Sequence, residues 1–156
     1  MNLYVEGEEK DHPHHKGLWV AFGDVGGSDL WSDEDGHGDQ KHLQFDWSEG
    51  GPVCGEFEER LLWESSAGMP LLDEVRIFRL WRSTGTVRMM DLEVRLSASH
   101  GSVRMGDTKE GGFCAVRLRE PLQGDAAGVI RSANGTLTES ENWGQRSEWV
   151  DYAGTL

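Results

Sequence analysis

The sequence contains no long apolar run. No stretch of about 18 consecutive apolar residues, the length of a membrane-spanning helix, occurs in its 156 residues. No apolar segment typical of a signal peptide follows Met1, so a cytoplasmic location is expected. Cysteine is also scarce: Cys54 and Cys114 form no CxxC motif and no disulfide framework. Buried free thiols are the expected state, and a single long-range bridge remains the alternative.

Positive charge is in short supply. The chain has 15 Lys and Arg against 28 Asp and Glu, a formal net charge of −13. Because nucleic acids and anionic membranes are bound through basic patches, this balance argues against both as partners. Hydrophobic residues make up only 37%, although seven tryptophans add large apolar surfaces. The composition indicates one domain, 1–156, with a thin, tryptophan-rich core.

Helical periodicity is absent as well, since no segment of ten or more residues shows it and 122–127 could form at most a helical turn. Apolar and polar residues instead alternate with a period of two, most regularly over 90–98. Glycine-containing turn sequences at 65–68, 83–85, 99–101 and 133–135 separate such runs. Long antiparallel strands joined by short loops predict an all-β fold, an antiparallel β-sandwich or a barrel built of large hairpins. The residues expected to face its core are Phe57, Leu61, Trp63, Val75, Ile77, Leu92, Val94 and Leu96.

The most distinctive motif is Asp11-His12-Pro13-His14-His15-Lys16-Gly17-Leu18-Trp19, which holds three of the six histidines. Imidazole is a common ligand of divalent metals and an acid or base near pH 7. On an extended backbone, His12 and His14 point to one face and His15 to the other. One interpretation is a metal or ligand site at the mouth of a β-fold, and the other is an exposed polar loop.

Other polar segments are interpreted as structural. Residues 23–38 form an acidic, glycine-rich loop without the full ligand spacing of a calcium loop. His37 and His42 are expected to be solvated or paired locally, and His100 to lie in a hairpin turn. No local signature of a catalytic serine or cysteine is present.

Several motifs together carry a family resemblance. They are the Asp11–Trp19 motif, Gly23-Asp24-Val25, Asp29-Leu30-Trp31, Gly106-Asp107-Thr108-Lys109-Glu110-Gly111, Trp143-Gly144-Gln145-Arg146 and Trp149-Val150-Asp151-Tyr152. In this order the chain resembles the bacterial PmoA-like family of unknown function. The family's label, methane oxygenase, is a misnomer, because nothing in the chain resembles a membrane methane monooxygenase subunit.

The resemblance implies a β-sandwich, of the large sugar-binding type, and a place in carbohydrate metabolism. Members of the family accompany sugar oxidoreductases and keto-glycoside-processing enzymes. They also have further strands before and after the region matched here, so the resemblance implies that this chain corresponds to their middle portion. A sandwich that lacks strands exposes apolar surface and unpaired backbone, and a homodimer is therefore expected.

Two further groups of residues are candidates for ligand contact. Lys109 and Glu110 stand in a glycine-rich turn, where an amine and a carboxylate can transfer a proton or clamp a hydroxyl group. Trp143 and Trp19 offer aromatic surfaces for the C–H face of a sugar, and Arg146 offers forked donors. The alternatives are a solvated charge pair and core tryptophans.

The leading hypothesis is an enzyme domain that acts on a sugar or keto-sugar by epimerase, isomerase or lyase chemistry. His12 and His14 would bind one divalent metal ion, with Glu110 as the first choice of third ligand and Asp24 as the second. His15 or Glu110 would move a proton, while Lys109 and Arg146 would hold the substrate. Two alternatives are a non-catalytic carbohydrate-binding module, which needs no metal, and an inactive truncated member of the family.

Overall fold

The computed structural model describes residues 15, 17–108, 113–124 and 128–155. Its strands are β1 (Leu18–Val20), β2 (Asp39–Gly50), β3 (Cys54–Glu64), β4 (Pro70–Trp81), β5 (Met90–Ser97), β6 (Cys114–Val116), β7 (Val129–Ser132) and β8 (Val150–Ala153). Helical structure in this part of the chain is limited to a 3-10 turn, Glu120–Leu122, and one short α-helix, α1 (Glu139–Asn142). All strand pairs are antiparallel. The prediction of an all-β fold of antiparallel sheets, the class to which β-sandwiches belong, is confirmed.

The chain divides into two compact units, Met1–Ala21 with Gly111–Leu156 (unit 1) and Phe22–Glu110 (unit 2). Within the described ranges, no helix is long and apolar enough to cross a membrane. Both cysteines are free thiols, with Cys54 half-buried and Cys114 exposed. The expected free state is therefore present, but neither thiol is buried as expected.

Unit 2 contains a four-stranded sheet in the order β2-β3-β4-β5. Its hairpin turns contain Gly68 and Gly85, whose φ angles of 73° and 64° are left-handed. Glycine adopts these angles without the steric cost that a Cβ brings. The predicted turns at 65–68 and 83–85 thus fall where the chain reverses between long strands.

One face of this sheet, here called the aromatic face, runs from a buried end to an open end. Its β3 and β4 members are in register, so that Trp63 lies opposite Leu72 and Phe57 lies opposite Phe78. Trp63 and Leu72 are buried, whereas Phe57 and Phe78 are half-buried. The next row beyond them is exposed, with Leu80 paired to Met90 of β5. The aromatic face is therefore buried at its Trp63 end and exposed at its Leu80 end.

The residues predicted to face the core fall into a buried and a half-buried group. Leu61, Trp63 and Ile77 are buried. The other predicted core residues are half-buried, namely Phe57, Val75, Leu92, Val94 and Leu96. Alternation grouped the predicted residues of β3 and β5 on one face correctly, but it was wrong for β4, because Val75 and Ile77 pair with Arg60 and Glu58 on the opposite face. It also carries no information about how completely each face is covered.

A loop segment of unit 2 supplies further core residues. Val25 and Leu30 are buried, and Val25 bridges to Met105. A Cβ on Gly38 would overlap the Glu64 carbonyl oxygen and press on Leu30, so only glycine fits there without a shift. The acidic segment 23–38 is therefore a packed part of unit 2 and is anchored beside the end of β3.

Unit 1 contains two short strand pairs, β1 with β6 and β7 with β8. Ile130 on β7 is buried and lies opposite Tyr152 of β8. The helix α1 begins with a capping box in which the Thr138 hydroxyl accepts from Glu141 N and the Glu141 carboxylate accepts from Thr138 N. In the segment 122–127, for which the sequence allowed at most a helical turn, Leu122 ends the 3-10 turn Glu120–Leu122, and 125–127 lie outside the described residues.

Candidate functional site

Four of the predicted site residues, His12, His14, Lys109 and Glu110, lie outside the described residues. The metal site built on the two histidines and the roles of Lys109 and Glu110 therefore stay predictions.

His15 and Trp19 are brought together in unit 1. Their rings stack with centroids 4.8 Å apart and an interplanar angle of 20°. Trp19 belongs to β1, where it pairs with Ala115 of β6, and its side chain is half-buried. The stack fixes the orientation of the imidazole, which suits a histidine that transfers a proton as well as one that packs against the strand.

Asp24, the second choice of metal ligand, has local structural contacts. Its Oδ1 accepts from Gly27 N at 2.9 Å, and its carbonyl oxygen accepts from Gly106 N at 2.9 Å. Its carboxylate also fills the space that a Cβ on Gly106 would need. Nowhere in the described ranges do three His, Cys, Asp or Glu side chains gather in a way that could hold a metal ion. The geometry around Asp24 explains its presence without a metal.

Trp143 and Arg146 both lie at the surface of unit 1. Trp143 follows α1 directly and is 74% exposed. Arg146 is exposed, and its carbonyl oxygen accepts from Asn134 Nδ2 at 2.8 Å, which fixes the backbone of this loop. Exposure of the indole is what a stacking platform requires, so the predicted substrate-binding role of this pair remains open.

The structure also assembles a group that the sequence did not predict as a site. On the aromatic face, His42 of β2 contacts Glu59 of β3, with Nδ1 and Oε1 2.7 Å apart. The His42 side chain is 45% exposed and that of Glu59 is 16% exposed. His42 is exposed and paired, but its partner is a carboxylate 17 residues away on the neighbouring strand, and this carboxylate remains accessible from one side.

A continuous row of aromatic rings leads away from this pair. The His42 ring lies 4.6 Å from Phe45, Phe45 meets Phe57 edge-on at 5.9 Å, and Phe57 stacks on Phe78 at 4.8 Å. Phe45 is 60% exposed. Exposed aromatic surface beside polar groups is typical of ligand sites.

Toward the buried end, a second polar group adjoins the pair. Arg76 of β4 lies opposite Glu59, but its guanidinium donates to Glu74 and to Gln40 Oε1. Glu74 also accepts from Trp63 Nε1 at 2.6 Å. Since the charges of Arg76 and Glu74 compensate each other, Arg76 does not neutralise Glu59, and a negative charge remains beside the His42 ring.

The sequence did not predict this site because β2 is irregular. Register shifts occur between His42 and Gln44 and between Phe45 and Trp47. Strict alternation would place residues 42 and 45 on opposite faces, whereas the first bulge returns Phe45 to the face of His42. The sequence shows a histidine and a phenylalanine three residues apart. That Glu59 is the partner of His42 follows only from the register of β2 with β3.

The fold and this face define an all-β protein with a histidine–carboxylate pair on an open, aromatic sheet surface. A family model described as a family of unknown function (DUF6807) matches residues 2–156. The chain belongs to that family, which agrees with the unknown function expected from the sequence. No curated protein and no solved structure matches the chain.

Proposed function

We propose that the protein acts on a sugar or keto-sugar that binds to the aromatic face of unit 2. The observation that carries the proposal is the His42–Glu59 pair, 2.7 Å apart and accessible on a row of aromatic rings. The resemblance to the PmoA-like family, whose members accompany sugar-processing enzymes, supports the same substrate class.

The chemistry of this face suits a neutral polyol. The C–H surface of a sugar ring packs on aromatic side chains such as Phe45, and hydroxyl groups donate to carboxylates such as Glu59. An anionic ligand would be repelled by Glu59, and the formal net charge of −13 adds to that repulsion. We therefore favour neutral sugars and keto-sugars over sugar acids and sugar phosphates.

The pair can also move a proton. A carboxylate beside an imidazole can accept a proton from the carbon next to a carbonyl group, and the imidazole can return it. The electrons of the broken C–H bond then form the enolate, so the step needs no oxidant or reductant. Epimerisation, isomerisation and elimination share this step. A divalent metal at His12 and His14 remains part of the proposal, but none of these steps depends on it.

Deuterium exchange tests both binding and proton transfer. A panel of aldoses, ketoses and 3-keto-glucosides is incubated with the protein in D₂O, and binding is followed by saturation-transfer NMR. We expect one sugar of the panel to bind and to exchange a C–H proton beside its carbonyl group. Glu59→Gln should weaken binding about tenfold or more, the loss typical of a charge-assisted hydrogen bond, and should abolish the exchange.

A second histidine–carboxylate pair provides a matched control. His100 Nε2 and Asp73 Oδ1 lie 3.1 Å apart outside the aromatic face, and Asp73→Asn should leave both readouts unchanged. Equal losses in the two variants, or no binding by any sugar of the panel, would refute the proposal.

The exposure of Trp143 favours one alternative, a carbohydrate-binding module without catalysis. A sugar that binds without proton exchange, and whose binding is lost in Trp143→Ala but retained in Glu59→Gln, would establish that alternative. His15, stacked on Trp19, and Arg146 would then be further candidates for contact in unit 1.

A further inference from the structure

The aromatic face continues past its phenylalanine rings into a depression. This depression, about 370 Å³ in volume, is lined by Gly51, Pro52, Cys54, Gly55, Leu80 and Arg82. Gly55 belongs to the same side of β3 as Phe57 and Glu59, because residues two apart on a strand share a face. Leu80 likewise shares its face with Phe78. The depression is therefore the open end of the surface that carries the His42–Glu59 pair.

Two glycines lie opposite each other at this end of the sheet. Gly50 of β2 pairs with Gly55 of β3, so this row of the sheet has no side chain on either strand. A Cβ on Gly50 would meet nothing within 4 Å, and one on Gly55 would meet only the Glu49 carbonyl oxygen, at 3.7 Å. Neither glycine has a positive φ. The backbone would accept a larger residue at either position, so its geometry does not explain the glycines.

The apolar wall beside the glycines is exposed. Leu80 is 49% exposed, and Met90, its partner on β5, is 45% exposed. Arg82 stands at the far end, and its Nη1 makes only a long contact of 3.4 Å with the Pro52 carbonyl oxygen. The depression thus has the apolar side chain of Leu80 beside the glycines and the guanidinium of Arg82 at one end.

The dimensions indicate the length of the ligand. Gly55 lies four residues from Glu59 along β3, which corresponds to about 13 Å at roughly 3.3 Å per residue. The stacked Phe57–Phe78 pair lies between them. One sugar ring at the His42–Glu59 pair covers only the first part of this distance, whereas two linked rings reach the glycine row.

We propose that the site binds a two-ring ligand, a disaccharide or a glycoside with a ring-shaped aglycone. The first ring lies at the His42–Glu59 pair, and the second lies over Phe57 and Phe78 with its end above Gly55. Arg82 donates to the outermost hydroxyl groups. This inference rests on the proposed function, because it assigns a second subsite to the same face.

The test compares monosaccharides with the disaccharides that contain them. Glucose and galactose are titrated against cellobiose, maltose and lactose, and affinities are measured by calorimetry. We expect at least one disaccharide to bind about tenfold more tightly than its parent monosaccharide, which corresponds to roughly 1.4 kcal/mol. Gly55→Val should remove this advantage and leave the monosaccharide affinity unchanged, because a valine side chain fills the far subsite alone.

Ser97→Val is the matched control, because Ser97 pairs with Asp73 on the other side of the sheet and is exposed. It should change neither affinity. Equal binding of monosaccharides and disaccharides by the unaltered protein would overturn the two-ring inference while the proposed function stands. If no sugar binds, both fail. A dimer in light scattering that Gly55→Val dissociates would identify the face as a protein interface instead and would also overturn the inference.

Discussion

Replacing Arg76 with methionine should destabilise unit 2 strongly, because it leaves the buried Glu74 carboxylate without its cation. The Glu74 side chain is fully buried and that of Arg76 is 14% exposed. Arg76 Nε donates to Glu74 Oε1 at 2.6 Å and Nη2 donates to Oε2 at 2.9 Å. After the change, the only hydrogen bond left to this carboxylate within the described part of the chain is that from Trp63.

Removing one partner of a buried pair costs about 3–5 kcal/mol, since the remaining charge stays desolvated. Adding Glu74→Gln removes that charge but keeps an oxygen that accepts from Trp63. The double variant should therefore lose less, about 1–3 kcal/mol, the cost of a buried polar group with one missing partner. It should be more stable than Arg76→Met alone, and this non-additive result is the signature of direct coupling.

Urea unfolding followed by circular dichroism measures these differences. Arg95→Met is the control, because Arg95 pairs with Glu93 at the surface, where both side chains are half or more exposed. It should cost less than about 1 kcal/mol. A loss below about 1 kcal/mol for Arg76→Met, or a double variant whose loss is the sum of the two single losses, would refute the reasoning.

Two further changes have expected outcomes. Gly106→Ala should lower the free energy of unfolding by about 1–3 kcal/mol, as overpacking does, because its Cβ would overlap the Asp24 carboxylate. Gly50→Ala should cost much less, because the space around its new Cβ is open. Thermal melts that rank the two variants the other way would contradict this. Burial acts to raise the pKa of Asp29, but hydrogen bonds from Ser32 and from Trp31 N together outweigh it and hold the pKa below its usual value. The stability that Asp29 adds is thus complete above its unfolded pKa, near 3.9, and is lost as pH falls through the lower folded pKa. Asp29→Asn should reduce the loss of stability between about pH 5 and pH 2, and an unchanged acid-unfolding curve would contradict this.

The regular strands were predictable because their side chains follow the period of two without interruption. The alternation over 90–98 corresponds to β5, Met90–Ser97, and the glycine turns at 65–68 and 83–85 separate the long strands as expected. The signal is local: each residue's face depends on its immediate neighbours and on nothing further along the chain.

The candidate site was not predictable in the same way, since it depends on register. The contact between His42 and Glu59 spans 17 residues, and Phe45 joins it only through a register shift in β2 that leaves no mark on the hydrophobic pattern. The capping box of α1 shows the opposite case. Thr138 and Glu141 have the spacing of a helix start in the sequence itself, but a four-residue helix is too short to show helical periodicity.

The two polar groups on the aromatic face, Glu74 with Arg76 and Glu59 with His42, differ in burial. We therefore expect changes at the first group to affect mainly stability and changes at the second to affect mainly binding. Glu74 is enclosed and receives three hydrogen bonds, so any change of partner leaves a desolvated charge. Glu59 has a partner that solvent reaches, because the His42 side chain is 45% exposed. Solvent reaches this pair from the His42 side, so the pair contributes less to folding than the enclosed group around Glu74, and a ligand hydroxyl can take the place of water there. Glu59→Gln should therefore unfold at nearly the same urea concentration as the unaltered protein, and any loss of sugar binding in that variant reports on the site rather than on the fold.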